Sequence, residues 1–193
     1  MRVGLGVTDC GGTCYIADVI RGRRTTLRPV TPDDLDLLVG WFSDPGVYAF
    51  WGGAPLDRER VAREFTDTPD PDMEPFIVEE GGRPIGYLQY WYAGGRPDAD
   101  AGGIDLVLIP SARGQGLGPD AARAMVDYLI RERGWRRVTV DPAVDNAAAI
   151  RAWARAGFKP AYEQPDHPDG PALIMAIDAD DWLTREERPD RPR

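Results

Sequence analysis

Histidine, lysine and cysteine are scarce in this chain: His167, Lys159, Cys10 and Cys14 are the only ones among 193 residues. A lone histidine leaves most serine- or cysteine-nucleophile schemes without their usual base. Two cysteines build no disulfide framework, and with one histidine beside them they give no structural zinc site, so no metal is expected. His167 itself sits in a Pro/Asp-rich loop and reads as exposed. With arginine supplying the remaining basic residues, the near-absence of lysine reads as the codon bias of a GC-rich genome. Long apolar runs are missing as well. None approaches the length of a membrane span, and Met1–Arg24 lacks the apolar centre of a secretory signal, so a cytoplasmic protein is expected.

Positive charge is outweighed. The formal net charge of -9 argues against a nucleic-acid surface and suits a cationic partner, although acidity alone is more often a solubility trait. With 42% hydrophobic residues the chain can bury a real core, and its length suits one domain. Neither an internal repeat nor a linker divides it.

The pattern of residues alternates strands and helices. Thr13–Arg28 reads as two short strands joined around Arg21-Gly22-Arg23. Thr31 caps a helix with Pro32 in its first turn and Leu35, Leu38, Val39 and Phe42 on one face. After an irregular aromatic stretch, Tyr48–Gly53, a second helix runs from about Leu56 to Phe65. Phe76–Glu80 and Pro84–Tyr92 make a hairpin around Gly81-Gly82, and Ala93–Gly102 is a surface loop. Then come a strand Ile104–Ile109, a glycine loop, and a helix with Ala122, Met125, Val126, Leu129 and Ile130 on one face. Trp135–Asp141 is a strand, Asn146–Arg155 a helix closed by Gly157. Lys159–Glu163 and Ala172–Ile177 are the last strands, and the charged tail after Leu183 is expected to fray. The expected class is α/β (α+β), with a mostly antiparallel mixed sheet flanked by helices.

The segment Arg113-Gly114-Gln115-Gly116-Leu117-Gly118 carries the most chemistry. Strand, glycine-rich turn and helix together aim several N–H groups and a positive helix end at one spot, where a phosphate can sit. Glycine permits φ > 0 and close approach of a ligand to the main chain. An ordinary tight turn fits the short motif equally well. Arg113 either touches phosphate or stays solvated.

In order, the strand, the Arg-x-x-Gly-x-Gly loop, the helix, the next strand, Asn146 and Ala156-Gly157-Phe158 resemble the GNAT superfamily of N-acetyltransferases. The resemblance covers about Thr25 to Leu183. It implies a domain over 25–183, an N-terminal extension over 1–24 holding the start of the first hairpin, and a tail over 184–193. It also implies the acyl-CoA N-acyltransferase fold, with acetyl-CoA as acyl donor. The pyrophosphate would rest on the loop Arg113–Gly118, and the pantetheine arm would lie between splayed strands Ile104–Ile109 and Trp135–Asp141, near Ile109. A main-chain N–H on Val107–Ile109 would polarise the thioester carbonyl. Asn146 would bond the arm, cap its own helix, or do both.

A narrower resemblance is to the aminoglycoside 6′-N-acetyltransferases. Trp51-Gly52-Gly53, Ile85-Gly86-Tyr87, Gly103-Ile104-Asp105, Gly114-Gln115-Gly116-Leu117-Gly118, Asp141-Pro142, Asn146-x-x-Ala149-Ile150-Arg151 and Pro168-Asp169-Gly170-Pro171-Ala172 carry it. It implies Asp105 as the base for the attacking amine, and an acceptor site of Trp51, Asp105, Asp141 and Asp169 around a cationic small-molecule amine. Read without the resemblance, Asp105 is equally a capping or solvent-facing aspartate. Trp91 and Tyr92 are core residues or sugar-facing rings. At Trp153 the chain departs from that family, which carries a tyrosine proposed to protonate the leaving thiolate. Tryptophan offers an N–H but no usable acid, so packing is the plainer reading. Two further readings stand beside the first: an acyltransferase for a lysine, siderophore or protein amine, and a non-catalytic binder of acetyl-CoA or an aminoglycoside. No membrane or nucleic-acid partner is expected, and the protein is expected as a monomer or homodimer.

Overall fold

The computed structural model of the protein describes residues 19–67 and 72–186. Strands β1 (Ile20–Arg21) and β2 (Thr25–Pro29) form the first hairpin. The expected strand residues Thr13–Asp18, with Cys10 and Cys14, lie outside the described residues. Thr31 starts a 3-10 turn, Pro32–Asp34, that leads into helix α1 (Leu35–Phe42). Asp34 accepts the Thr31 N–H at 2.8 Å and both arms of the Arg28 guanidinium at 2.7 and 2.8 Å. Burial works to raise its pKa, but these bonds outweigh burial and hold it below the ordinary value.

Two short helices follow, α2 (Pro45–Tyr48) and α3 (Arg58–Val61), the latter widening into a π-helical turn, Ala62–Asp67. Asp44 and Asp57 cap them by accepting the N–H groups of Gly46 and Arg60. The sequence marks the second of these but not α2, which is a single turn on Pro45. Strands β3 (Met73–Glu80) and β4 (Arg83–Tyr92) form the expected hairpin, with Gly81 and Gly82 at φ 59° and 80°. Then come β5 (Ala101–Leu108), α4 (Leu117–Arg131), β6 (Arg137–Val140) and α5 (Ala147–Ala156), which ends at Gly157 with φ 115°. Strands β7 (Lys159–Gln164) and β8 (Ala172–Asp178) lead to α6 (Ala179–Glu186). Helix α6 replaces the fraying expected after Leu183 as far as Glu186. It buries Trp182 and carries the ordered backbone past Leu183 to Glu186, and residues 187–193 lie outside the described residues. None of the described helices is long and apolar enough to cross a membrane.

The eight strands form one sheet in the order β1-β2-β3-β4-β5-β6-β8-β7, antiparallel except between β5 and β6. Alternate residues feed two cores, one on each face of the sheet. Phe76, Val78, Leu88, Tyr90 and Ile104 meet the stripe of α4, where Ala122, Met125, Val126, Leu129 and Ile130 are all buried as expected. Ile77, Tyr87 and Val107 meet Leu38, Phe42, Val61 and Phe65 from α1, α3 and the π turn.

One buried carboxylate fixes the glycine loop to this frame. Asp120, in the first turn of α4, accepts the N–H groups of Arg23, Arg24 and Thr25 and the Thr25 hydroxyl. Burial pushes its pKa up, but the four bonds outweigh that and hold it below the ordinary value. Asp120→Ala strands three N–H donors and should cost about 3 kcal/mol of stability, read as a lower urea midpoint. The depressed pKa gives stability that is complete above the ordinary carboxylate range and lost as pH falls through the folded-state pKa, so the gap between variant and parent should close in acid.

Candidate active site

Strands β5 and β6 pair only over Ala101–Gly103 and Arg137–Thr139, and beyond that register they have no ladder between them. The splay expected from the resemblance is present. Along β5 the N–H groups alternate sides. Ile109 donates to Ile85 on β4 at 3.0 Å, which turns the N–H groups of Leu106 and Leu108 toward the open side. Of the expected donors Val107–Ile109, Leu108 is the one that faces the gap. Ile109 itself has its N–H committed to β4 and does not donate there; its half-buried side chain packs against the core under α4.

Past a short 3-10 turn, Pro110–Ala112, the chain reaches the glycine loop. Gly114 and Gly116 have φ of 74° and 80°, a left-handed backbone that glycine adopts without strain. A Cβ on either would meet nothing within 4 Å, so open space lies above them. Leu117 and Gly118 are the first two residues of α4, and Pro119 has no N–H to give. The N–H groups of Gly114, Gln115, Gly116, Leu117 and Gly118 donate to no acceptor among the described residues. Five unspent donors at a helix N-terminus form an anion nest of the kind that takes a phosphate or diphosphate group.

Arg113 is half-buried and bonded within the protein, not simply solvated. Its Nε donates to Leu108 O at 2.9 Å, its second arm donates to Gly46 O, and the guanidinium lies 5.0 Å from the Phe50 ring centroid. Burial lowers its pKa, against the pull of Asp44. Arg113 thus ties α2 to the end of β5 and sets the position of the loop from below. Gln115 turns its side chain back to Ser111 O and gives its own C=O to Arg24, so its backbone N–H is its part of the nest. Asn146 caps α5, its carbonyl accepting Ala149 N–H at 3.0 Å. Its amide N–H groups have no acceptor among the described residues and are available to a ligand.

Asp105 stands on β5 itself, two residues past Gly103, the last residue paired with β6. Its Oδ2 accepts from Gln89 Nε2 at 2.8 Å, and Gln89 Oε1 accepts from the Tyr87 hydroxyl at 2.8 Å. Strand register makes this possible: Gln89 is directly opposite Asp105, and Trp91 directly opposite Gly103. Gly103 must be glycine, because a Cβ there would come within 2.2 Å of the Trp91 indole. Trp91 lies across that gap. Burial pushes the Asp105 pKa up to about 6, and the negative charges of Asp141 and Asp169 add to the rise against the bond from Gln89. Three carboxylates therefore share one electrostatic field. Asp141 follows β6 beside a pocket of about 220 Å³ lined by Trp91, Thr139, Tyr162, Gln164 and His167.

The remaining assignments divide. Trp51 is half-buried and meets Tyr87 edge-on at 5.3 Å, which puts it on the sheet face of Asp105 with Tyr87 and Gln89 between them. Trp153 is buried and edge-on to Phe158 at 5.4 Å, the packing role. Tyr92 is core, against Tyr90 and Trp135. His167, expected to be exposed, is not. Its side chain is only 16% exposed and its Nε2 lies 3.1 Å from Asp141 Oδ2. Gln89 belongs to the site as well, and its signal in the sequence is a polar residue two positions from Tyr87 on a strand otherwise apolar on that face.

The acetyltransferase (GNAT) domain family model matches residues 24–159. The aminoglycoside N(6′)-acetyltransferase type 1 of Klebsiella pneumoniae is 32% identical over 181 residues, covering 87% of this chain and 90% of that protein. The enzyme of the same name from Serratia marcescens is 32% identical over 163 residues, 78% of this chain and 81% of that one. Among solved structures, AAC(6′)-Ib in complex with paromomycin and acetyl-CoA superposes with a TM-score of 0.79 at 30% identity, covering 87% of this chain and 99% of that one.

Proposed function

This chain belongs to the acetyltransferase (GNAT) family, and from that premise we propose that it moves acetyl from acetyl-CoA to the 6′-amine of an aminoglycoside. One observation carries the reading furthest: Asp105, on β5 just past its last pairing with β6 and held by Gln89 at 2.8 Å, has its pKa lifted to about 6 by burial and by Asp141 and Asp169. A carboxylate poised there is ionised at neutral pH yet basic enough to take a proton. Its two acidic neighbours draw a polycationic sugar and hold its ammonium groups by charge-assisted hydrogen bonds. Relatives spanning most of the chain carry the aminoglycoside 6′ name, and a solved relative holds coenzyme A and kanamycin.

The acyl donor supplies an activated carbonyl, and the chain's residues do the rest. The nest at Gly114–Gly118 takes the pyrophosphate charge. Leu108 N–H faces the gap where the carbonyl oxygen gains charge as the C–N bond forms. Asp105 takes the proton of the attacking amine, while the C–S bond breaks and the sulfur leaves as thiolate. Trp153 offers no acid, so solvent protonates the sulfur. The test mixes purified protein with acetyl-CoA and a panel of amines and follows free thiol. Turnover is expected with 6′-amino aminoglycosides and not with lysine, N-hydroxylysine or a lysine peptide. Thiol release restricted to the latter group overturns the reading.

A further inference from the structure

His167 occupies a place that neither the cradle nor the three carboxylates explain. It lies on the turn between β7 and β8, 26 residues from Asp141, yet its imidazole bridges two acceptor-side carboxylate residues. Nε2 lies 3.1 Å from Asp141 Oδ2, and Nδ1 accepts the backbone N–H of Asp169 at 3.3 Å. Because Nδ1 accepts, it carries no proton, so the imidazole is the Nε2–H tautomer and donates to Asp141. The His167 carbonyl closes the same turn by accepting Gly170 N–H at 3.0 Å, and Gly170 has φ 102°. Backbone bonds from Val144 to Pro171 O and from Leu173 to Pro142 O join the two segments behind the ring. One side chain thus sets the direction of Asp141 and the backbone of Asp169 together.

We propose that His167 is a positioning residue for the acceptor, acting through Asp141 and Asp169 without itself touching the reacting atoms. The proposal rests on the acceptor reading above, in which these two aspartates bind ammonium groups. With Oδ2 of Asp141 held by the imidazole, Oδ1 is the oxygen turned out for the substrate. Without the ring, Asp141 swings freely and the Asp169 N–H loses its acceptor, so the pocket must order itself at each binding event. The loss falls on acceptor binding and leaves the nest, which shares no hydrogen bond with this turn among the described residues, alone.

His167→Ala should raise the acceptor KM about tenfold, the size expected for one hydrogen bond to a charged group. The KM for acetyl-CoA should not move, and kcat should fall less than threefold. His167→Gln places an amide N–H near Nε2 and should recover most of the acceptor KM, whereas His167→Asn keeps only an acceptor near Nδ1 and should not. Equal losses in the alanine and glutamine variants, or a shift in acetyl-CoA KM to match, overturn the proposal. A second readout needs no turnover. In tag-free protein the imidazole gives the sole histidine nitrogen signals, and their shifts report the tautomer. Nε2–H is expected in the parent, with the preference lost in Asp141→Asn; Nδ1–H, or no change in that variant, overturns the clasp. A parent enzyme with no aminoglycoside turnover but an intact Nε2–H signal would refute the acceptor reading and leave the clasp standing.

Discussion

Asp105→Asn should lower kcat/KM for the acceptor by about a hundred- to ten-thousandfold while acetyl-CoA still binds. The amide keeps the shape and the contact with Gln89, but it takes no proton and presents no charge to an ammonium group. Folding failure cannot produce this result, because the same substitution should stabilise the protein. The folded-state pKa of Asp105 is raised to about 6 by burial and by Asp141 and Asp169. A raised carboxylate pKa means that the native state binds the proton more tightly than the unfolded chain. Stability is therefore lost as pH climbs from about 4 to about 6, and above that the ionised group costs up to about 3 kcal/mol. Removing the charge should raise the neutral-pH urea midpoint and leave it unchanged below pH 4. In the parent enzyme, kcat/KM should fall on the acid side with a midpoint near 6. That limb should be absent from the residual activity of Asp105→Asn. Activity and stability moving in opposite directions in one variant is the signature of a strained functional carboxylate.

Gly116→Asp should raise the KM for acetyl-CoA by about a hundredfold or more, since a like charge set against the pyrophosphate costs several kcal/mol. Aspartate is chosen because it tolerates a positive φ better than most side chains, and Gly116 sits at 80° with open space where the side chain would go. Gly134→Asp is the matched control. It meets the same backbone demand at φ 71°, also with open space, past the C-terminal end of α4 and so a helix length from the loop. The two variants should lose similar stability, and only Gly116→Asp should lose cofactor affinity. Equal KM values for acetyl-CoA in both would place the pyrophosphate elsewhere.

The parts of this protein legible in its sequence are those where one residue's own geometry decides. Gly116 and Gly157 need positive φ, the stripe Ala122–Ile130 repeats every helical turn, and Gly81-Gly82 closes a hairpin. Asp105, Asp141 and Asp169 were legible as a set only through resemblance, since nothing in their spacing says that they share a field. What escaped depends on tertiary partners. Arg113 is spent on Leu108 O and Gly46 O, the latter 67 residues away. His167 is turned inward by Asp141, though its Pro/Asp-rich neighbours suggest exposure. Helix α6 starts with Ala179, Asp180 and Asp181 and buries one large residue, Trp182, whose indole N–H donates to Asp127 at 3.2 Å. A single anchored tryptophan gives no stripe to read. Helix α2 is one turn long and has no periodicity at all.

The central proposal is that the nest at Gly114–Gly118 holds acetyl-CoA by its pyrophosphate while Asp105, Asp141 and Asp169 hold the acceptor with its 6′-amine at the thioester. The most direct measurement is the identity of the product. A 6′-amino aminoglycoside is exhaustively reacted with acetyl-CoA, and the product is located by mass spectrometry and NMR. A single acetyl group on the 6′ nitrogen, formed in step with one free thiol and lost in Asp105→Asn, is the expected result. An acetyl group on another amine of the sugar, or thiol release with no acetylated sugar, would contradict it.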